Sequence, residues 1–411
     1  MKKFLLALVL VFLSTTSKSQ ATYTPFNDDD IERIGRILLQ NQLNNIFNNA
    51  YLPLGVVDLG PCDNFISYNP IEGVRLRLSG KTNAKLSKRF SFEWLLAYGT
   101  NDKKLKYGAS IGYNFAKKAS SLYSFQAKTL SLSYYDNTYM PYLSNYDKIQ
   151  YSISPWDNFV LASLRNATLK FFYEFPTAIS ITPALHYKNY YSRLHYVDKE
   201  ITELIHDDIE YIISEVNISF QPQRKKARNV SSNFNARFNS LPTKVSLTYR
   251  HNTPLNAIER QYDELSFLAQ ERIFISDILA IDLRLNAGKI FGSTNPYLYL
   301  TPSMTNSLVS STYGFNLLHY GRTIYHKQYI QTFAQINFCG IIFDKIPSLK
   351  QYRMNEFIYH KSLYGQYLPY HEIGIGVDNI FGTLGIELIR SFSFEKEYYP
   401  GEWGVRLRLK I

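Results

Sequence analysis

Apolar and polar residues alternate strictly along much of this chain. Val74, Leu76 and Leu78 alternate with Arg75, Arg77 and Ser79; Phe90, Phe92, Trp94, Leu96 and Tyr98 with Ser91, Glu93 and Ala97; Tyr107, Ala109, Ile111, Tyr113 and Phe115 with Gly108, Ser110, Gly112 and Asn114. Successive side chains of a strand point to opposite faces, so the pattern predicts antiparallel strands with one apolar, aromatic face and one polar face. The same period recurs at 179–188, 244–250, 281–287 and 335–342, with less regular runs near 123–134, 166–175, 209–220, 262–276, 350–359, 371–380 and 384–394. A soluble sandwich would cover the apolar face with a second sheet; a transmembrane barrel would turn it to lipid.

About fifteen strands follow from Glu72 onward. Long connections (135–165, 192–208, 252–261 and 292–328) alternate with short ones (Pro176-Thr177-Ala178, the Asp277 turn and Gly382-Thr383), the basic stretch 221–243 being the exception. Barrels with long loops on one side and an even strand number then require one more strand, within 54–68. The expectation is an all-β, transmembrane antiparallel β-barrel of about sixteen strands, within a range of roughly 14–18, behind a short helical lead. Tyr313 to Tyr320 is the ambiguous stretch, because it also reads as a strand of its own.

The chain ends on a further amphipathic strand. Trp403, Val405, Leu407, Leu409 and Ile411 alternate with Gly404, Arg406, Arg408 and Lys410. Glu402, Gly404, Leu407 and Leu409 also fit the polar-x-Gly-x-x-apolar-x-apolar pattern of a terminal β-signal, which makes the outer-membrane assembly machinery an expected partner. At the other end Lys2 and Lys3, the apolar run 4–13 and Ser17-Lys18-Ser19 read as a signal peptide over 1–19. Residues 20–53 form a lead in which Asp28-Asp29-Asp30 precedes Ile31, Ile34, Leu38, Gln42 and Ile46, predicting an amphipathic helix over 29–48. Such a helix caps the barrel mouth, plugs the lumen or binds a separate periplasmic partner. The barrel itself is expected over 54–411.

Composition favours the membrane reading. The 34 Tyr and 27 Phe exceed what a soluble core requires, and tyrosine suits a lipid and water boundary. Beyond the first residues no apolar run approaches the roughly 20 residues of a spanning helix. The formal charge of +11 loses Lys2, Lys3 and Lys18 on signal cleavage. The remaining excess points to anionic outer-membrane lipids or lipopolysaccharide rather than nucleic acid. Cys62 and Cys339 can pair in an oxidising compartment or remain two buried thiols.

No enzyme motif emerges: the eight histidines are scattered, and there is no His-Glu-x-x-His, Gly-x-Ser-x-Gly or phosphate loop. We therefore expect no catalytic residues, no cofactor and no metal centre. His206-Asp207-Asp208 can bind a divalent cation or be solvated, and Arg224-Lys225-Lys226-Ala227-Arg228 can grip lipid phosphates or be a solvated loop. The more informative set is a lumen charge cluster. Arg75 and Arg77 near the first strand and Arg406 and Arg408 on the last approach one another on closure, with Glu93 and Glu387 as counter-charges. That set makes either an anion-selecting pore or an ion-paired wall.

Finally, Asn69-Pro70-Ile71-Glu72-Gly73-Val74-Arg75-Leu76-Arg77-Leu78 carries a resemblance, with Lys81-Thr82-Asn83, Leu86-Ser87-Lys88-Arg89-Phe90, Ala97-Tyr98-Gly99-Thr100 and Asp102-Lys103 to Gly108. Later pieces are Phe338-Cys339-Gly340, Lys345-Ile346-Pro347 and Gly374 to Phe381. From Leu54 to Ile411 the chain resembles a Bacteroidetes family of outer-membrane β-barrels of unknown function, remotely similar to BamA-type barrels. Members of that family usually carry an amino-terminal carboxypeptidase-regulatory-like domain, for which residues 20–53 are too few. Where the family shows acidic residues, this chain has Phe315-Asn316-Leu317-Leu318-His319-Tyr320-Gly321-Arg322. The resemblance implies passage or assembly of material across the outer membrane, in its sharper form protein insertion or secretion.

Overall fold

The structure is a computed structural model. It describes residues 51–62, 65–69, 71–116, 125–139, 159–197, 200–205, 209–222, 243–255, 260–276, 279–293, 299–304, 310, 312–318, 326–338, 340–350, 354–365, 369–380, 384–393 and 401–409. The signal peptide, the helix expected over 29–48, His206-Asp207-Asp208, the basic run at 224–228 and Cys339 lie outside these residues. Cys62 directs its thiol at the carbonyl of Leu59, 3.7 Å away.

One antiparallel sheet contains all the described strands. In chain order they are β1 (Leu52–Leu54), β2 (Val57–Leu59), β3 (Ile66–Asn69), β4 (Gly73–Thr82), β5 (Phe90–Gly99), β6 (Leu105–Asn114), β7 (Lys128–Tyr139), β8 (Phe159–Glu174), β9 (Ile179–Val197) and β10 (Glu200–Ile205). There follow β11 (Ile209–Phe220), β12 (Lys244–Pro254), β13 (Tyr262–Ser276), β14 (Leu279–Gly292), β15 (Gln328–Asn337), β16 (Asn355–Gly365), β17 (Tyr370–Ile380), β18 (Leu384–Ser393) and β19 (Trp403–Leu409). From β4 onward each long strand pairs with the next, a meander in which β10 only extends the hairpin of β9.

The extra strand expected within 54–68 is present but broken. β2 pairs with Gly80–Thr82 of β4 and β3 with Gly73–Leu76 of the same edge. Gly60 N–H to Ser79 O and Arg77 N–H to Phe65 O continue the ladder across the break. Counted as one strand, β2 and β3 join the fifteen long strands to give sixteen among the described residues.

Polarity is inverted relative to a soluble protein. Leu76 is 50% exposed and Leu132 57%, whereas Arg75 is 1% exposed and Glu372 is fully buried. The buried polar face is the concave one. Arg75 on β4 reaches Thr138 of β7 at 2.6 Å across two intervening strands, and Arg408 on β19 reaches Gln335 of β15 at 3.4 Å across three. Flat sheets would hold those strands about 14 and 19 Å apart, so the wall curls toward its polar side.

The predicted strand at 335–342 stops early. β15 ends at Asn337, and Gly340, at φ +92°, reverses the chain, a conformation open to glycine without strain. Conversely, β9 runs on through part of the predicted loop 192–208.

Candidate functional site

Two separate networks hold the inward charges at the first and last strands, apart from the pairs Arg250 makes with Glu215 and Glu264 and Arg272 makes with Asp282. In the first, the fully buried carboxylate of Glu72 bonds Arg75 Nη1 at 3.2 Å and Lys106 Nζ at 2.6 Å. Lys106 also meets Asp102, while Thr138 Oγ1 and Asn137 Oδ1 accept further guanidinium hydrogens of Arg75. Two cations and two acids thus neutralise one another out of water, where any one of them alone would be costly. Glu93 stands opposite Lys81 in the β4–β5 register, and Arg77 bonds Ser79 Oγ at 3.1 Å. Sequence parity named the correct face but passed over Glu72, which sits in the turn just before its strand.

The second network lies on β15 to β19 and grips a loop. Between β14 and β15 the chain folds back onto the concave face, and Gly314, Phe315, Asn316, Leu317 and Leu318 are all buried there. Glu372 of β17 accepts the N–H of Asn316 at 2.9 Å and that of Leu317 at 2.7 Å, as well as the Tyr370 hydroxyl at 2.8 Å. Lys361 of β16 donates to Gly314 O at 2.6 Å, and Gln331 of β15 to Tyr313 O at 3.0 Å. The Asn316 side-chain amide donates to Glu387 of β18 at 2.9 Å, and the Asn316 backbone carbonyl accepts from Arg406 of β19 at 3.1 Å. Phe315 meets the Tyr370 ring edge-on, and Tyr313 meets Phe333 likewise. Burial raises the phenol of Tyr313 above its ordinary range, so the group stays neutral.

The arginines of the last strand complete this site. Arg408 pairs with Asp378 at 3.2 Å and Glu387 at 3.5 Å and lies over the Phe357 ring. Of the predicted set, the structure therefore brings Glu387, Arg406 and Arg408 together and places Arg75 in a different network. Glu372, Lys361 and Asn316 were missed as site residues. The visible signal was the amphipathic 313–320 run inside a long loop; its described part, 313–318, makes only an isolated bridge with Met304, and side chains claim several of its other backbone groups.

Two of the terminal pattern residues, Gly404 and Leu407, meet the same loop. Ser391 N–H donates to Glu402 O, so the odd-numbered carbonyls of β19 face the edge away from β18. On that edge Leu407 O accepts from Ser310 N–H at 2.7 Å. A Cβ on Gly404 would stand 2.5 Å from the Leu317 side chain, so glycine there admits the loop. Leu409 ends β19. Chemically the site is a lock of charge-assisted hydrogen bonds, and among the described residues no three potential metal ligands converge.

Residues 184–377 match the model of a family of unknown function (DUF5686), C-terminal domain. Among solved structures the chain is similar to BamA from Haemophilus ducreyi lacking POTRA domains 1–3, at 9% identity and a TM-score of 0.45, covering 83% of this chain and 68% of that one. No curated protein matches it.

Proposed function

We propose that the chain is an integral outer-membrane β-barrel, closed at rest by its own 310–318 loop, that passes or assembles material across the membrane when the loop is displaced. The observation that supports insertion is the inverted polarity. Along β6 the exposed face runs from Leu105 through Tyr107, Ile111 and Tyr113 to Phe115. Ten residues of tilted strand give an apolar band about 25 Å tall, the height of an outer-membrane barrel's lipid belt. On this reading the partners are outer-membrane lipids, the assembly machinery during biogenesis and a separate periplasmic protein, and there is no catalysis.

A direct prediction concerns Leu132, whose register partners are Ile111 and Leu169 at mid-belt. Leu132→Arg should cost about 2–4 kcal/mol in a bilayer, measured as loss of the heat-modifiable folded band after refolding into vesicles. Ser133→Arg, one residue along and facing the polar side, should refold nearly as well as the parent. Equal loss in both would sink the lipid-facing assignment. The gated-pore reading is tested in planar bilayers, where the parent should give little steady current and loop-releasing variants discrete conductance steps. Absence of current from every variant would overturn it.

A second reading rests on the rim. Asp136 of β7, Arg165 of β8 and Tyr191 of β9 form a polar group on the outward parity of those strands, with the exposed Arg165 over the Tyr191 ring and bonded to the buried Asp136 at 3.2 Å. Such a group suits lipopolysaccharide phosphates, so this alternative is a structural barrel that binds lipopolysaccharide from its outer surface. Retention of lipopolysaccharide lost on Arg165→Ala, in a barrel that never conducts, would favour it.

A further inference from the structure

The turn after β15 is not used by either reading. Its shape is fixed by one carboxylate: Glu356 accepts N–H groups from Gly340 at 2.8 Å, Ile342 at 3.0 Å and Phe343 at 2.8 Å. Glu356 has the parity of Ile358, on the outward apolar face of β16, yet it is only 6% exposed. The turn therefore packs over the outer side of the wall at its end, not over the polar side. A 3-10 turn, Phe343–Lys345, and a short helix, Pro347–Lys350, follow. Ile342 is 59% exposed and Ile346 40%, and Lys345 and Lys350 are exposed beside them.

The arrangement recurs at the same end of the sheet. Alternate connections of a meander share an end, which puts the β4–β5 turn at the same end as the β15–β16 turn. There Leu86 is 52% exposed among Lys85, Lys88 and Arg89. Apolar side chains continuous with the lipid-facing wall, flanked by cations, suit the boundary between acyl chains and phosphate headgroups. A turn already set by Glu356 loses little freedom on contact, so burial of the two isoleucines is not cancelled by ordering.

We propose that Gly340–Lys350 is an interfacial anchor that seats Ile342 and Ile346 at the acyl boundary and lays Lys345 and Lys350 on the phosphates of anionic phospholipid. The proposal rests on the membrane reading above and adds to it a fixed contact with one leaflet, the one at the end carrying the short connections.

The test uses the full mature chain with Cys62→Ser and Cys339→Ser, refolded into vesicles of phosphatidylethanolamine and phosphatidylglycerol. An environment-sensitive fluorophore is attached at Ser348→Cys or, as control, at Leu132→Cys. Spin-labelled phospholipids carrying the quencher near the headgroup should quench the Ser348 probe strongly, and phospholipids carrying it at mid-chain should quench the mid-belt Leu132 probe. Ile342→Ser with Ile346→Ser, or Glu356→Ala, should reduce that quenching at least threefold, roughly, while the Leu132 probe stays quenched. An unquenched Ser348 probe beside a quenched Leu132 probe overturns the anchor and leaves the barrel standing. If both are unquenched, the membrane reading itself fails. A Ser348 probe wet in vesicles but shielded in native envelopes would instead assign the turn to a protein partner and overturn the proposal.

Discussion

Glu372→Ala is expected to unseat the in-folded loop. The parent carboxylate accepts N–H groups from Asn316 and Leu317 and lies near the fully buried Lys361. Hydrogen bonds to a charged group contribute about 1.5–3 kcal/mol each, so their loss shifts the equilibrium by several kcal/mol, or more than about 100-fold. With the native cysteines replaced, a Leu317→Cys thiol should react slowly with a water-soluble maleimide in the parent and at least that much faster in the alanine variant. Glu372→Gln keeps an acceptor and should fall between. Equal labelling rates in all three would show that the loop is not held by this carboxylate. The conductance steps described above should appear in the same order.

Glu72→Ala is expected to be the most destabilising single change at the other end of the sheet. It leaves Arg75 and Lys106, 1% and 3% exposed, with Asp102 as the remaining acid. Removing one partner of a buried ion network costs about 3–5 kcal/mol. The measurement is the urea midpoint for loss of the heat-modifiable band, which should fall accordingly. The triple change Glu72→Ala, Arg75→Met and Lys106→Met should recover most of the loss, since it removes the uncompensated charges along with the acid. A single variant within about 1 kcal/mol of the parent would mean that water reaches this network.

The wall was legible in the sequence because period-2 alternation is imposed residue by residue: Val74 to Ser79 could face only two ways. Even the broken strand was foreseeable, through loop parity rather than through its own residues, since Pro61 and the irregular run after it interrupt the pattern. The ion pairs were legible only as a face. Which acid meets Arg75 depends on a turn, where Glu72 escapes the strand period. The loop was hidden for a different reason. Several of its backbone groups are satisfied by Glu372, Lys361 and Gln331, residues 18 to 56 positions away, and no local pattern encodes a partner of that kind.

The in-folded loop also sets an order of events. From β4 onward each long strand pairs with the next long strand, so the wall can zip together progressively at low contact order. Residues 310–318 break that rule, because their anchors on β16 to β19 are synthesised after them. Seating must wait until Arg406 is in place, which makes the loop a late clasp: a chain truncated before β19 could build most of its wall and still never fasten it.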